Sequence, residues 1–86
     1  MSSSTQVVDR IHDWVLRTFP LARQYDLDVD ASLLESGVID SMGTLEVVQF
    51  LEEEFGIEVT DDEMVADHFE SVRSISQLVE SKNHRN

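Results

Sequence analysis

Ser41 has the most suggestive chemical setting in the chain. It lies in GVIDSMGTLEVVQFLEEEFG (residues 37–56), directly after Asp40 and at the start of a long amphipathic pattern. A serine nucleophile needs a base within hydrogen-bond reach and donors for an oxyanion. The G-x-S-x-G elbow is absent, the chain has no cysteine, and no histidine is close to Ser41 in sequence. His12 is expected on a solvated helix face, His68 near the end of a short helix, and His84 in the tail. A serine that receives a phosphate ester from another enzyme fits better. Asp40 can cap the helix, which leaves the Ser41 hydroxyl free and directed outward. There the first-turn N–H groups and the helix dipole favour a phosphate. The plainer alternative is that Ser41 is itself the cap.

A second constellation is DLDVDASLLESG, residues 26–37. Asp26, Asp28 and Asp30 take positions 1, 3 and 5 of an EF-hand loop. Ala31 stands where the turn glycine belongs, and Gly37 where the bidentate glutamate belongs. The loop thus lacks its turn residue and its strongest ligand, so no metal site is expected, and a degenerate EF-hand-like calcium binder at 26–37 is the weaker alternative.

The elements that position these residues read as helices. Val7, Val8, Ile11, Trp14, Val15 and Phe19 recur at helical spacing. They predict a first helix over 5–18, capped by Ser4 or Thr5 and stopped by Pro20. Residues 20–40 lose the periodicity and predict a long loop packed across the helices, with a turn of helix near 32–35; such a loop calls for a functional reason. A second long helix is predicted over 41–55, ended by Gly56. Thr60 and Glu63 form a capping box for a short helix over 61–67. A last helix opens at Ser71 or Ser74 and runs to Ser81. The class is all-α: a small four-helix bundle of three longer helices and one short one, in a single domain spanning 1–86 with flexible tails at 1–4 and 82–86.

On the middle helix, Thr44, Val47, Val48, Leu51 and Phe55 share the core stripe, and Phe50 is expected under the 56–60 loop. Met42, Leu45, Glu46, Gln49, Glu52 and Glu53 share the opposite side. Two apolar residues beside Ser41, rimmed by acids, suggest a contact surface.

Charge narrows the partners. The net charge is −12, and from Gln24 to Val72 there are fifteen acids and no Lys or Arg. Phosphate backbones and anionic membrane surfaces attract cations, so neither nucleic acid nor membrane is an expected partner. No run is long enough for a membrane helix, and the first residues lack the pattern of a secretion signal. A cytoplasmic monomer is expected. The acidic surface suits solubility, or docking onto basic partners.

The stretch ESGVIDSMGTLEVVQFLEEEFGIEVTDDE resembles the acyl carrier and peptidyl carrier protein family. Asp40-Ser41-Met42 is similar to its Asp-Ser-Leu/Met motif, and LEEEFGIEV to the second half of its helix 2 and the following turn; the resemblance covers roughly 5–80. It implies a carrier rather than an enzyme, with 4′-phosphopantetheine from coenzyme A attached to Ser41 as a phosphodiester and cargo held on its thiol as a thioester. It also implies that Asp40, Met42, Leu45, Glu46, Gln49, Glu52 and Glu53, with Glu58 and Val59 from the next loop, are read by a phosphopantetheinyl transferase. The same face would serve an adenylating acyl or aminoacyl ligase and later transferases or synthases with basic patches. Two residues, Val38 and Ile39, separate Gly37 from Asp40, where housekeeping fatty-acid carriers usually have one, and Gly43 replaces a frequent acid. The form resembles D-alanyl and aminoacyl carriers of dedicated pathways. The competing interpretation is an acidic helical adaptor that needs no prosthetic group, for which Ser41→Ala would be silent.

Overall fold

The computed structural model describes residues 3–83, with side chains for 6–40 and 42–82. The regular secondary structure of the described residues is entirely helical, with no strand. Four α-helices carry the fold: α1 (Ser3–Thr18), α2 (Pro20–Gln24), α3 (Ser41–Phe55) and α4 (Val72–Asn83), with 3-10 helices at Asp61–Glu63 and Ala66–Phe69.

On α1 the stripe Val7, Ile11 and Val15 is buried and packs against α4, which contributes Val72, Ile75, Leu78 and Val79. Ser4 and Thr5, expected as caps, lie inside the helix, and their side chains are outside the described residues. Pro20 both stops and starts. Phe19, forced out of the helical region before a proline, is extended at φ −113° and ψ 108°. Pro20 then opens α2 at its first position, where a missing N–H is harmless. The expected loop from residue 20 therefore begins with a helix that buries Ala22.

Residues 25–40 form the packed loop that the scattered apolar residues imply. Leu27, Leu33, Val38 and Ile39 are buried. The loop is fastened to the start of α4 by Leu33 N–H to Glu70 C=O (2.6 Å) and Arg73 N–H to Val29 C=O (3.0 Å). Glu35 N–H donates to Ser32 Oγ (3.0 Å) and Gly37 N–H to Leu34 C=O (3.2 Å), so the segment near 32–35 closes as hydrogen-bonded turns and not as the expected turn of helix. Gly37 leaves it at φ +80°. His12 is not on a solvated face: it is half-buried, and its Nε2 lies 2.7 Å from Leu27 O, tying α1 to the loop.

α3 has the predicted bounds, and Gly56 caps it at φ +66° with its N–H on Glu52 C=O (3.1 Å). Val47 and Leu51 are fully buried, whereas Thr44, Val48 and Phe55 are half-buried, so the core stripe is centred on 47 and 51. Phe50 stacks on Trp14 of α1 at 4.3 Å and meets Phe55 edge-on at 6.0 Å.

The short helix expected over 61–67 is instead two 3-10 pieces. Glu63 does reach back to Thr60 N–H (3.0 Å). Met64 (ψ 59°) and Val65 (ψ 154°) break the segment, and so few residues between breaks favour 3-10 geometry over α. Ser71 Oγ caps α4 by accepting Ser74 N–H (3.1 Å). Lys82, assigned to a tail, belongs to α4 and pairs with Glu63. Residues 1–2 and 84–86, including His84, lie outside the described residues. No described helix is long and apolar enough to cross a membrane.

Candidate functional site at the start of the third helix

The site is built where the packed loop delivers the chain into α3. Ile39 is buried and anchors the entry. Asp40 follows in extended geometry (φ −104°, ψ −169°), and its Oδ1 accepts Gly43 N–H at 2.8 Å. Its carbonyl accepts Thr44 N–H (2.9 Å) and Thr44 Oγ1–H (3.1 Å). Asp40 is therefore the cap, and Ser41 is the first helical residue. The N–H groups of Ser41 and Met42 belong to the first-turn set that has no acceptor within the helix. The direction of the Ser41 hydroxyl, expected outward, lies outside the described residues. Its neighbours are exposed on both sides: Asp40, and Met42 at 70%.

Gly43 explains how this turn sits so low on the bundle. A Cβ there would stand 3.0 Å from Ile39 Cγ2 and 3.1 Å from Phe19 Cε1. Any larger side chain at this place would have to push both aside.

Of the residues expected to face partners, Met42, Leu45 (54% exposed), Glu46, Gln49 and Glu53 are exposed on α3, and Glu58 is exposed beyond it. Glu52 is half-buried, with Oε2 accepting Val59 N–H at 3.0 Å. Val59 corrects the expectation. It is 8% exposed and belongs to the core. After Gly56 the chain is extended, and its side chains alternate: Ile57 and Val59 turn inward, Glu58 and Thr60 outward. The alternation in GIEVT was the signal for this.

One turn beyond Ser41, Thr44 borders a cleft of about 290 Å³ whose other walls are Leu34, Met64, Val65, Ala66 and Phe69. The aromatic residues Trp14, Phe19 and Phe50 do not line it. The wall residues were not singled out in sequence; the apolar pair Met64-Val65 behind the acids Asp61–Glu63 was the available sign, and Val65 is indeed exposed at 44%.

The other candidates are occupied structurally. Arg73 takes both carboxylate oxygens of Asp30, lowering its pKa chiefly through that hydrogen bond, and Asp28 Oδ2 accepts Asp30 N–H. Among the described residues no group of three His, Asp or Glu is placed to hold a metal ion. His68 Nδ1 lies 2.8 Å from Glu63 O.

An all-helical fold with a serine opening an Asp-capped helix and acids along that helix is the arrangement of a small carrier-type protein that the resemblance implies. Residues 15–80 match the family model described as "Phosphopantetheine attachment site". The D-alanyl carrier proteins of Streptococcus pyogenes serotype M1 and of serotype M49 (strain NZ131) are each 39% identical over 56 residues, 65% of this chain and 71% of theirs. The chain belongs to the phosphopantetheine attachment family, among the acyl and peptidyl carrier proteins. Its prosthetic group is a covalent 4′-phosphopantetheine, which supplies a thiol on a long flexible arm. The residues present fit such a group, since exposed neighbours and first-turn N–H groups without helical acceptors leave room and polarity for a phosphodiester.

Proposed function

We propose that Ser41 carries the arm and that this chain, a single domain over 1–86, shuttles acyl or aminoacyl cargo as a thioester between enzymes of a dedicated pathway. The observation that carries this reading is the Asp40 cap. With Gly43 N–H satisfied by Asp40 Oδ1, Ser41 is not needed to close the helix. The names of the relatives and the Gly-Val-Ile-Asp-Ser spacing favour loading by an adenylating ligase.

The chain itself performs no chemistry in this reading. His12 and His68, the described histidines, each lie at hydrogen-bond distance from a backbone carbonyl of their own packing, which argues against either as a base for Ser41. A phosphopantetheinyl transferase, the ligase and later transferases read Asp40, Met42, Leu45, Glu46, Gln49, Glu53 and Glu58, with Glu52 at the edge of the face. Their basic patches are steered by the acids and fixed by Met42 and Leu45. Single surface ion pairs contribute about 0–1 kcal/mol, so each encounter is brief and salt-sensitive, as a carrier that visits several enzymes requires. A coenzyme A donor favours work in the cytoplasm, and the net charge of −12 favours a monomer.

The test is incubation with coenzyme A and a promiscuous phosphopantetheinyl transferase, followed by intact mass and peptide mapping. One arm on the Ser41 peptide, and none on Ser41→Ala, is expected. An unmodified protein overturns the reading in favour of a plain acidic adaptor, and an arm elsewhere overturns the assignment to Ser41.

A further inference from the structure

Along the seam between α1 and α3 runs a shallow groove of about 190 Å³, bordered by Trp14, Glu46, Gln49, Phe50 and Glu53. Its floor is aromatic. Trp14 and Phe50 stack with their planes 10° apart, so one face of each ring is covered by the other. What the pair offers the groove is chiefly apolar surface for methylenes, not an open face for a cation. The rim is acidic: Glu46 and Glu53 are both exposed. Gln49 Nε2 donates to Glu53 Oε2 at 3.3 Å, a long bond.

No described cation of the chain closes this rim. Arg10, one turn before Trp14 on α1, is directed elsewhere, with Nη2 2.7 Å from Glu54 Oε2 and its guanidinium carbon 6.0 Å from the Phe55 ring centre. That contact shows what suits the seam. A guanidinium beside an α3 aromatic ring ends on an α3 carboxylate. The groove repeats the ring and the carboxylates without supplying an arginine of its own.

We infer that the groove receives an arginine side chain from a partner protein, with its methylenes along Trp14 and Phe50 and its guanidinium between Glu46 and Glu53. Arginine fits better than lysine, because its planar fork can engage carboxylates through paired N–H groups and it is more weakly hydrated. Its stem packs on apolar surface while its head stays at the acids. The inference rests on the docking face proposed above and extends it onto α1, through Trp14, with a stated residue type. It gives a partner an anchor on one edge of α3 and so fixes its orientation relative to Ser41.

Trp14 is the chain's only tryptophan and reports the contact directly. The full chain is titrated with the peptide acetyl-Gly-Arg-Gly-amide and with its lysine and citrulline counterparts, read by tryptophan fluorescence and amide NMR. The arginine peptide is expected to saturate shifts at the Trp14 indole and the Gln49 and Phe50 amides. The lysine peptide binds several-fold more weakly, and the neutral citrulline peptide leaves these signals in place. The double variant Glu46→Gln, Glu53→Gln, which keeps the aromatic floor, weakens arginine binding about fivefold or more. Equal binding of citrulline, or shifts spread evenly over Glu58, Asp61 and Asp62, overturns the inference. Arm loading is measured by mass on the same sample. A loaded protein with a silent Trp14 removes the socket and keeps the carrier, whereas a responsive Trp14 on a protein that refuses the arm does the reverse.

Discussion

Lys82 Nζ, in the last turn of α4, lies 2.6 and 2.9 Å from the two carboxylate oxygens of Glu63, nineteen residues earlier. Through this pair and the Thr60 contacts, the Asp61–Glu63 turn, which directly precedes the cleft residues Met64 and Val65, is held to the end of the bundle. The Lys82 hydrogen bond, then the Thr60 N–H, lower the Glu63 pKa from 4.5 to about 2. A carboxylate with a depressed folded pKa stabilises fully above its unfolded pKa and loses that contribution as pH falls through the folded one. Wild type should therefore exceed Glu63→Gln in melting temperature above pH 4.5, and the gap should close between pH 4.5 and about 2. Asp30, also lowered by its partner Arg73, shifts stability in the same direction but is common to both proteins and cancels in the difference. A gap that is constant over this range would refute the assignment.

Asp40 has a structural and a recognition role, and two substitutions separate them. Asp40→Ala removes the acceptor for Gly43 N–H and should cost about 0.5–2 kcal/mol in urea denaturation. Asp40→Asn retains a good cap and should stay within about 0.5 kcal/mol of wild type. If arm loading is slowed in both, charge at Asp40 is read by the transferase. If only the alanine variant is slow, the cap geometry is what counts.

The legible parts of the sequence were those where local and tertiary signals agree. α3 could be bounded because an Asp cap, a helical stripe and a C-terminal Gly all point to the same fifteen residues. Pro20 was ambiguous, since the same residue that ends one helix is well suited to begin another; only the burial of Ala22 shows which reading holds. His12 and Val59 were misplaced for a related reason. Each is set by a partner distant in sequence, Leu27 O for one and the bundle core for the other. The capping box at Thr60 was read correctly, but not that Met64 and Val65 would interrupt the helix after it. At the start of α3, the Asp40 cap and the exposure of Met42 and Leu45 are legible from residue type and helix phase, whereas the cleft needs three separate segments to meet.

Gly43 should resist replacement even though glycine is a poor helix residue. Alanine gains up to about 1 kcal/mol of intrinsic propensity. Against this, its Cβ would meet Ile39 at 3.0 Å and Phe19 at 3.1 Å, and overpacking of this kind costs about 1–3 kcal/mol. Ile39 is buried and has little room to yield, so crowding wins, and Gly43→Ala should be net destabilising by about 1 kcal/mol in urea denaturation. Phe19 meets Trp14 edge-on at 5.6 Å, so the tryptophan emission should shift as well. A more stable Gly43→Ala with unchanged emission would show that the first turn of α3 can lift without cost.

Glu58 and Val59 are adjacent but should fail in opposite ways. The extended chain after Gly56 turns one outward and the other into the core. Glu58→Lys changes an exposed charge and should leave stability within about 0.5 kcal/mol. If the docking face extends to this loop, it should slow arm loading by a basic-patched transferase, most visibly at low salt where surface charges are least screened. Val59→Ala removes two buried methyl groups at about 0.8 kcal/mol each, plus a small cavity term, for a loss of about 2 kcal/mol. Its backbone N–H to Glu52 is retained, so its loading rate under folding conditions should match wild type. Chemical denaturation and a timed loading assay on both variants check the pair. Normal loading with Glu58→Lys would restrict the docking face to α3, and a stable Val59→Ala would contradict the burial of that side chain.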